Sequence, residues 1–173
     1  MVVAFRGLGA DIDYVDQDGF PPLKIKGKKI VGGQVELSAA TSSQFASALL
    51  LIAPNFEKGL QLKFKGEVVS KPYIKMTTAL MKSVGVEIDE TENGISVFPT
   101  KSIATKTLEV EADWSAAAYF FGLVSLAEDA SLFLNGLQDK SVQGDAWLIP
   151  IFEELGVRST FKDGGLLLEK RAS

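Results

Sequence analysis

Apolar positions along the chain recur in two rhythms that alternate. In "GGQVELSA", "GLQLKFKG", "KTLEVEA" and "ASLFLNGL" the rhythm is that of strands. In "SSQFASALLLIAP" and "DWSAAAYFFGLVSLAE" apolar residues fill nearly every face, which predicts buried helices. "KPYIKMTTALMKSVG" and "GDAWLIPIFEELG" predict a second helix after each of these. Pro150 falls inside the last of them; in a helix starting near Asp145 it lies beyond the first turn and should kink it.

The order of elements repeats. "FRGLGADIDYVDQDGFPPLKI", "LMKSVGVEIDETENGISVF" and "FEELGVRSTFKDGGLLLE" each end a helix at a glycine, Gly9, Gly85 and Gly156. Glycine suits the left-handed position just past a helix end. Each then runs into a strand, a tight turn and a second strand. The turns are Asp16-Gln17-Asp18-Gly19, Glu92-Asn93-Gly94 and Lys162-Asp163-Gly164-Gly165. The glycines are spaced roughly 70 to 76 residues apart, too far for a solenoid and suited to duplicated small subdomains. The expected class is α/β (α+β), built from β-α-β-α-β-β units. One complete unit spans 32–99 and another 108–173. Residues 1–31 are the tail of a preceding, truncated unit, and the polar stretch "TKSIATKT" (100–107) is a loop or a hinge. A chain that begins inside a repeat is expected to start at an artificial Met1.

Composition narrows the chemistry. A chain of 173 residues with 46% hydrophobic and 23% charged residues can bury a core without staples. There is no cysteine and no histidine. Thiol nucleophiles, disulfides, Cys/His zinc sites and imidazole bases are therefore excluded. The net charge of −4 argues against nonspecific nucleic-acid binding. No apolar run predicts a signal peptide or a membrane span, and the lack of cysteine fits a cytoplasmic location.

Binding groups gather at predicted helix starts. Thr41, Ser42, Ser43 and Gln44 stand directly before an apolar run from Phe45 to Ala53. A helix N-terminus has unpaired amides and partial positive charge, so hydroxyls there suit an anion. A helix cap needs one hydroxyl, from Thr41 or Ser42, and leaves a surplus. Ser70, Lys71, Pro72 and Tyr73 open the next helix in the same way, with Ser70 as the natural cap. Sequential parallel strands tend to be neighbours, which would bring these two helix starts together. A third start, "EADWSAAAYFF", carries Asp113 and so disfavours an anion. The basic run "KIKGKK" is a solvated face or a protected sheet edge. No P-loop, dinucleotide fingerprint or metal-ligand spacing is present, and no carboxylate pair stands out as catalytic.

"TSSQFASALLL", "GEVVSKPYIKMTTALMKSVGVEI", "DWSAAAYFF", "SVQGDAWLIPIFEELG" and "GADIDYVDQDGFPPLKIKG" together resemble the EPSP synthase (3-phosphoshikimate 1-carboxyvinyltransferase) family over essentially the whole chain. The resemblance implies an inside-out α/β barrel built from repeated units in two domains, with the active site between them. It implies enolpyruvyl transfer from phosphoenolpyruvate to the 5-hydroxyl of shikimate 3-phosphate, with no metal or organic cofactor, in a cytoplasmic monomer. Ser42, Ser43, Gln44, Ser70 and Tyr73 fall on the family's shikimate 3-phosphate site, and no ligand role is carried onto Lys71.

The family's amino-terminal lysine, serine and arginine, its glycine-rich phosphoenolpyruvate loop and its carboxy-terminal acid–base and cationic residues have no counterpart here. The resemblance therefore implies a fragment with half a substrate site and no activity alone. Residues 32–99 would belong to the amino-terminal domain, and those from 108 onward would begin the other. The alternatives are a fragment of the sister enzyme acting on UDP-N-acetylglucosamine, or a non-catalytic binding module of the same subunit fold.

Overall fold

The computed structural model describes residues 1–38, 42–66, 71–92, 94–103 and 105–171. The mixed α/β chain divides into two compact units, Met1–Lys106 and Thr107–Ser173. The described residues of 98–113 form neither helix nor strand.

The first unit opens with helix α1 (Val2–Gly7) and a hairpin of β1 (Asp11–Tyr14) and β2 (Leu23–Lys26). Arg6 ties helix to hairpin: its Nε donates to the Ile12 carbonyl at 2.6 Å and its guanidinium lies over the Tyr14 ring. The expected tight turn at Asp16–Gly19 is instead part of an eight-residue loop between Tyr14 and Leu23. Pro21 and Pro22 lack the amide protons that would extend the ladder. The bend falls at Gln17–Phe20, closed by a 3.1 Å bond from the Phe20 amide to the Gln17 carbonyl, with Gly19 at φ 92°.

The rest of the unit runs β3 (Gly33–Ser38), α2 (Ser43–Ile52), β4 (Leu60–Lys65), α3 (Lys71–Ser83), β5 (Ile88–Thr91) and β6 (Gly94–Val97). The sheet order is β3-β4-β6-β5, with β3 and β4 parallel and the other pairs antiparallel. This is the predicted β-α-β-α-β-β order. On α3 the buried residues Ile74, Thr77, Thr78 and Met81 follow the i, i+3, i+4, i+7 stripe of a one-sided helix. Ile74 and Met81 join Leu49 and Leu50 of α2 and Leu62 and Ile95 of the sheet in one core that also takes in Leu8. Leu49, Leu50 and Leu62 have no exposed surface, and each contributes about 2 kcal/mol by burial.

The second unit contains α4 (Trp114–Leu126), β7 (Ser131–Asn135), a 3-10 turn (Gly144–Trp147), α5 (Leu148–Glu154), β8 (Val157–Lys162) and β9 (Gly165–Lys170). Its antiparallel sheet has the order β7-β9-β8. The core forms around Trp114, Phe121, Leu166 and Leu168.

Three expectations about this unit are corrected. "KTLEVEA" is not a strand: of this stretch only the Ala112 amide reaches the β7 end, at the Gly136 carbonyl. The Glu111 carboxylate accepts from Trp114 Nε1 (2.8 Å), the Gln138 amide (3.1 Å), Ser141 Oγ (2.8 Å) and Gln143 Nε2 (3.1 Å). These four bonds fix the chain into the α4 entrance rather than along β7. Leu108 and Val110, whose alternation suggested a strand, stay exposed.

The helix expected from Asp145 is split into the 3-10 turn and α5. Pro150 thus stands in the first turn of α5, where its missing amide proton leaves no bond unmade. Nor is α4 buried all round. Trp114, Ala117, Phe121 and Val124 face the sheet, while Tyr119 (79%), Leu123 (64%) and Leu126 (87%) face outward, because two layers cover only one face of a helix.

The repeat extends to detail. Gly9, Gly85 and Gly156 all have positive φ. After both α1 and α3, the residue past the glycine donates to the carbonyl five positions back, Ala10 to Phe5 and Val86 to Met81. In the β5–β6 hairpin Asn93 lies outside the described residues. Gly94 is not a turn residue: it opens β6 in register with Thr91 and Lys63. A Cβ there would stand 2.6 Å from the Leu62 carbonyl oxygen. Gly165 opens β9 identically, with a Cβ 2.4 Å from the Leu134 oxygen.

Gly165→Ala is expected to lower stability by about 2–3 kcal/mol in urea unfolding. Gly27→Ala, with nothing within 4 Å, is the near-neutral control. A second expectation concerns pH. Burial alone would raise the Glu111 pKa, but the bonds from Trp114, Ser141, Gln138 and Gln143 hold it below the ordinary value of 4.5. Its stabilising contribution is full above that unfolded value and is lost as pH falls through the lower, folded one. Glu111→Gln should therefore flatten the acid limb of the stability–pH curve, read by thermal unfolding at several pH values.

Candidate functional site

Strands β3 and β4 are parallel, with Ser38 opposite Lys65 at their ends. The helices that follow them, α2 and α3, therefore start from the same end of the sheet. Their packing is recorded by a direct contact, Ser47 Oγ to Thr77 Oγ1 at 3.0 Å. Ser47 lies about 6 Å along its axis from the start of α2, and Thr77 about 9 Å from the start of α3. The two N-termini are thus neighbours.

Ser42 is the N-cap of α2. Its Oγ accepts the Gln44 amide at 3.3 Å and its carbonyl accepts the Phe45 amide at 3.0 Å. Accepting a bond leaves the Ser42 hydroxyl proton free to be donated elsewhere. Ser43 and Gln44 occupy the first turn, Ser43 half-buried and Gln44 exposed. Tyr73, in the first turn of α3, is 47% exposed. Thr41 and Ser70 lie outside the described residues. Four of the five predicted side chains, Ser42, Ser43, Gln44 and Tyr73, therefore stand at two adjacent helix starts. Lys71 lines a small groove with Phe64, Lys75 and Glu90. The Lys82 ammonium, 2.6 Å away, is the main reason that Glu90 titrates below its usual range.

The charge pattern separates the two units. Neither α2 nor α3 carries an acidic residue in its first turn, although acids are favoured there. In the second unit Asp113 caps α4 by accepting the Ser115 amide at 2.8 Å, and the Ser115 hydroxyl donates to Asp145. That helix start is already supplied with carboxylates. The starts of α2 and α3 offer hydroxyls, amides and partial positive charge without one, an arrangement that accepts an anion.

The residues missed in the sequence are Ser47 and Thr77. Ser47 is the single hydroxyl within the run Phe45–Ala53, which was the available signal.

Fold and geometry define a class: an α/β protein of repeated units, one of which presents two adjacent helix N-termini free of first-turn acids. Among solved structures, the fold is similar to EPSP synthase from Acinetobacter baumannii, with a TM-score of 0.69 and 19% identity over 99% of this chain and 39% of that one. The family model for EPSP synthase (3-phosphoshikimate 1-carboxyvinyltransferase) matches residues 1–172. The chain belongs to the EPSP synthase family.

Proteins named 3-phosphoshikimate 1-carboxyvinyltransferase from two Bacteroides fragilis strains are 39% and 41% identical over 100% of this chain and 42% of their own. One from Histophilus somni is 36% identical over 98% of this chain and 39% of its own. The chain thus spans about two fifths of the length of the curated relatives it matches. No described helix is long and apolar enough to cross a membrane.

Ser42→Ala is expected to cost about 1 kcal/mol through loss of the cap, and Ser43→Ala close to nothing. Chemical denaturation of both variants separates the capping serine from the surplus one.

Proposed function

We propose that this chain carries part of the shikimate 3-phosphate site of an enolpyruvyltransferase. The carrying observation is the adjacent, acid-free pair of helix starts bearing Ser42, Ser43, Gln44 and Tyr73. In this reading the Ser42, Ser43 and Ser70 hydroxyls donate to the substrate phosphate, while Gln44 and Tyr73 face its ring. The helix dipoles favour the dianion, so binding weakens below about pH 6, where a phosphomonoester takes up a proton.

The whole enzyme transfers the enolpyruvyl group of phosphoenolpyruvate to the 5-hydroxyl of shikimate 3-phosphate. The new C–O bond forms at that hydroxyl oxygen, its proton is lost, and phosphate departs. Such a transfer needs positioned acid–base groups and cationic clamps on both reactants. No residue of this chain is assigned those roles, so the chain alone is inactive. The 32–99 unit belongs to the amino-terminal domain, 100–107 is the hinge, and 108–173 begins the carboxy-terminal domain. The partners are the two small substrates. The net charge of −4 weighs against an RNA-binding module.

Titration of the isotopically labelled chain tests this reading. Shikimate 3-phosphate should shift the Ser42–Gln44 and Tyr73 amide resonances, and Ser43→Ala should weaken that binding. UDP-N-acetylglucosamine should leave the same resonances in place; the reverse preference would assign the chain to the sister enzyme. Enolpyruvyl transfer by the chain alone would sink the half-site reading.

A further inference from the structure

Thr77 Oγ1 has two oxygen neighbours: Ser47 Oγ at 3.0 Å and the Tyr73 carbonyl at 3.1 Å. A hydroxyl carries one proton, and a carbonyl can only accept. Thr77 therefore donates to Tyr73 while accepting from Ser47, and a continuous link runs from α2 through the Thr77 hydroxyl to the Tyr73 backbone. Thr77 is 9% exposed, so the link lies largely out of water, where a missing partner is costly. Each helix presents one hydroxyl at this crossing, Ser47 on α2 and Thr77 on α3, whereas the buried Thr78 hydroxyl is spent within α3 on the Lys75 carbonyl at 3.1 Å. Ser47–Thr77 is thus the hydroxyl pair that joins the two helices, among the apolar inward positions Ala46, Leu50, Ile74 and Met81.

We infer that Ser47 and Thr77 are positioning residues that lock the first turn of α3 to α2 and so hold Tyr73 in place beside Ser42, Ser43 and Gln44. This rests on the shikimate 3-phosphate reading of the site. Apolar packing alone would allow α3 to turn or slide on α2 by small steps. A directional hydrogen bond fixes one setting. The bond from Thr77 to Tyr73 lies one turn below the exposed ring and transmits that setting to it.

The test compares Ser47→Ala, Thr77→Val, Thr77→Ser and the Ser47→Ala/Thr77→Val double variant in the full chain, with urea unfolding as the check on folding. The first arm needs no ligand: hydrogen exchange at the backbone amides of the first turns of α3. Ser47→Ala and Thr77→Val should speed that exchange by about three- to tenfold, the value of one hydrogen bond. Thr77→Ser should restore it. The double variant should match Thr77→Val alone, since Ser47 then has nothing left to hold. The second arm is titration with shikimate 3-phosphate, where the dissociation constant should rise by about the same factor in the same variants, with the same non-additivity.

A folded Ser47→Ala chain with unchanged exchange and unchanged affinity overturns the inference, as do effects that add in the double variant. Faster exchange with unchanged affinity overturns the positioning role and leaves a structural tie. Failure of the unaltered chain to bind overturns the site reading, and with it the substrate role of the link. The exchange arm still decides whether the link between the helices exists.

Discussion

The parallel pairing of β3 with β4 is the constraint on which the first unit depends. A parallel pair cannot be closed by a tight turn, so the chain must cross over, and the crossover is α2. Because Ser38 and Lys65 end the strands opposite each other, the chain leaves both strands at one end of the sheet. Whatever polar groups open the next two helices are therefore delivered side by side. The antiparallel strands β5 and β6 then complete the sheet and cover the core below. The site is a product of topology first and of residue choice second.

The second unit shows the same scaffold without that constraint. Residues 107–111 do not pair with β7, and the sheet is antiparallel throughout. Here the start of α4 is organised by Glu111, Asp113, Gln143 and Asp145. Gln143 illustrates the density of the arrangement: its carbonyl oxygen accepts the Trp114 amide, and its amide nitrogen donates to Glu111 and to the Ala112 carbonyl. Each of these groups is satisfied from within the unit.

Local chemistry made much of this legible in the sequence. The glycines past the helix ends, a hydroxyl cap at Thr41 or Ser42 and the element order of the first unit depend on residues within a few positions of each other. What was not legible depends on distant partners. Leu108 and Val110 alternate like a strand, but strand formation needs a neighbour, and three of the four bonds that hold Glu111 come from residues 27 to 32 positions away. Gly94 and Gly165 looked like turn glycines, yet their requirement comes from a carbonyl on the adjacent strand. α4 is apolar all round, so its sequence could not say which face a two-layer unit would leave open. The Ser47–Thr77 contact joins positions 30 apart and depends on how two helices cross, which no periodicity encodes.

Asp145 beside the α4 start can also be viewed as a ligand that never leaves. A tethered carboxylate competes with any dissolved anion at an effective concentration in the millimolar range or above, so the competition is settled intramolecularly. Repeating a unit repeats its helix dipoles, but side chains such as Asp113 and Asp145 decide whether a given helix start is open to the outside or occupied from within. In this chain the two units have taken opposite answers, with the same order of helix, strand, helix and hairpin in both.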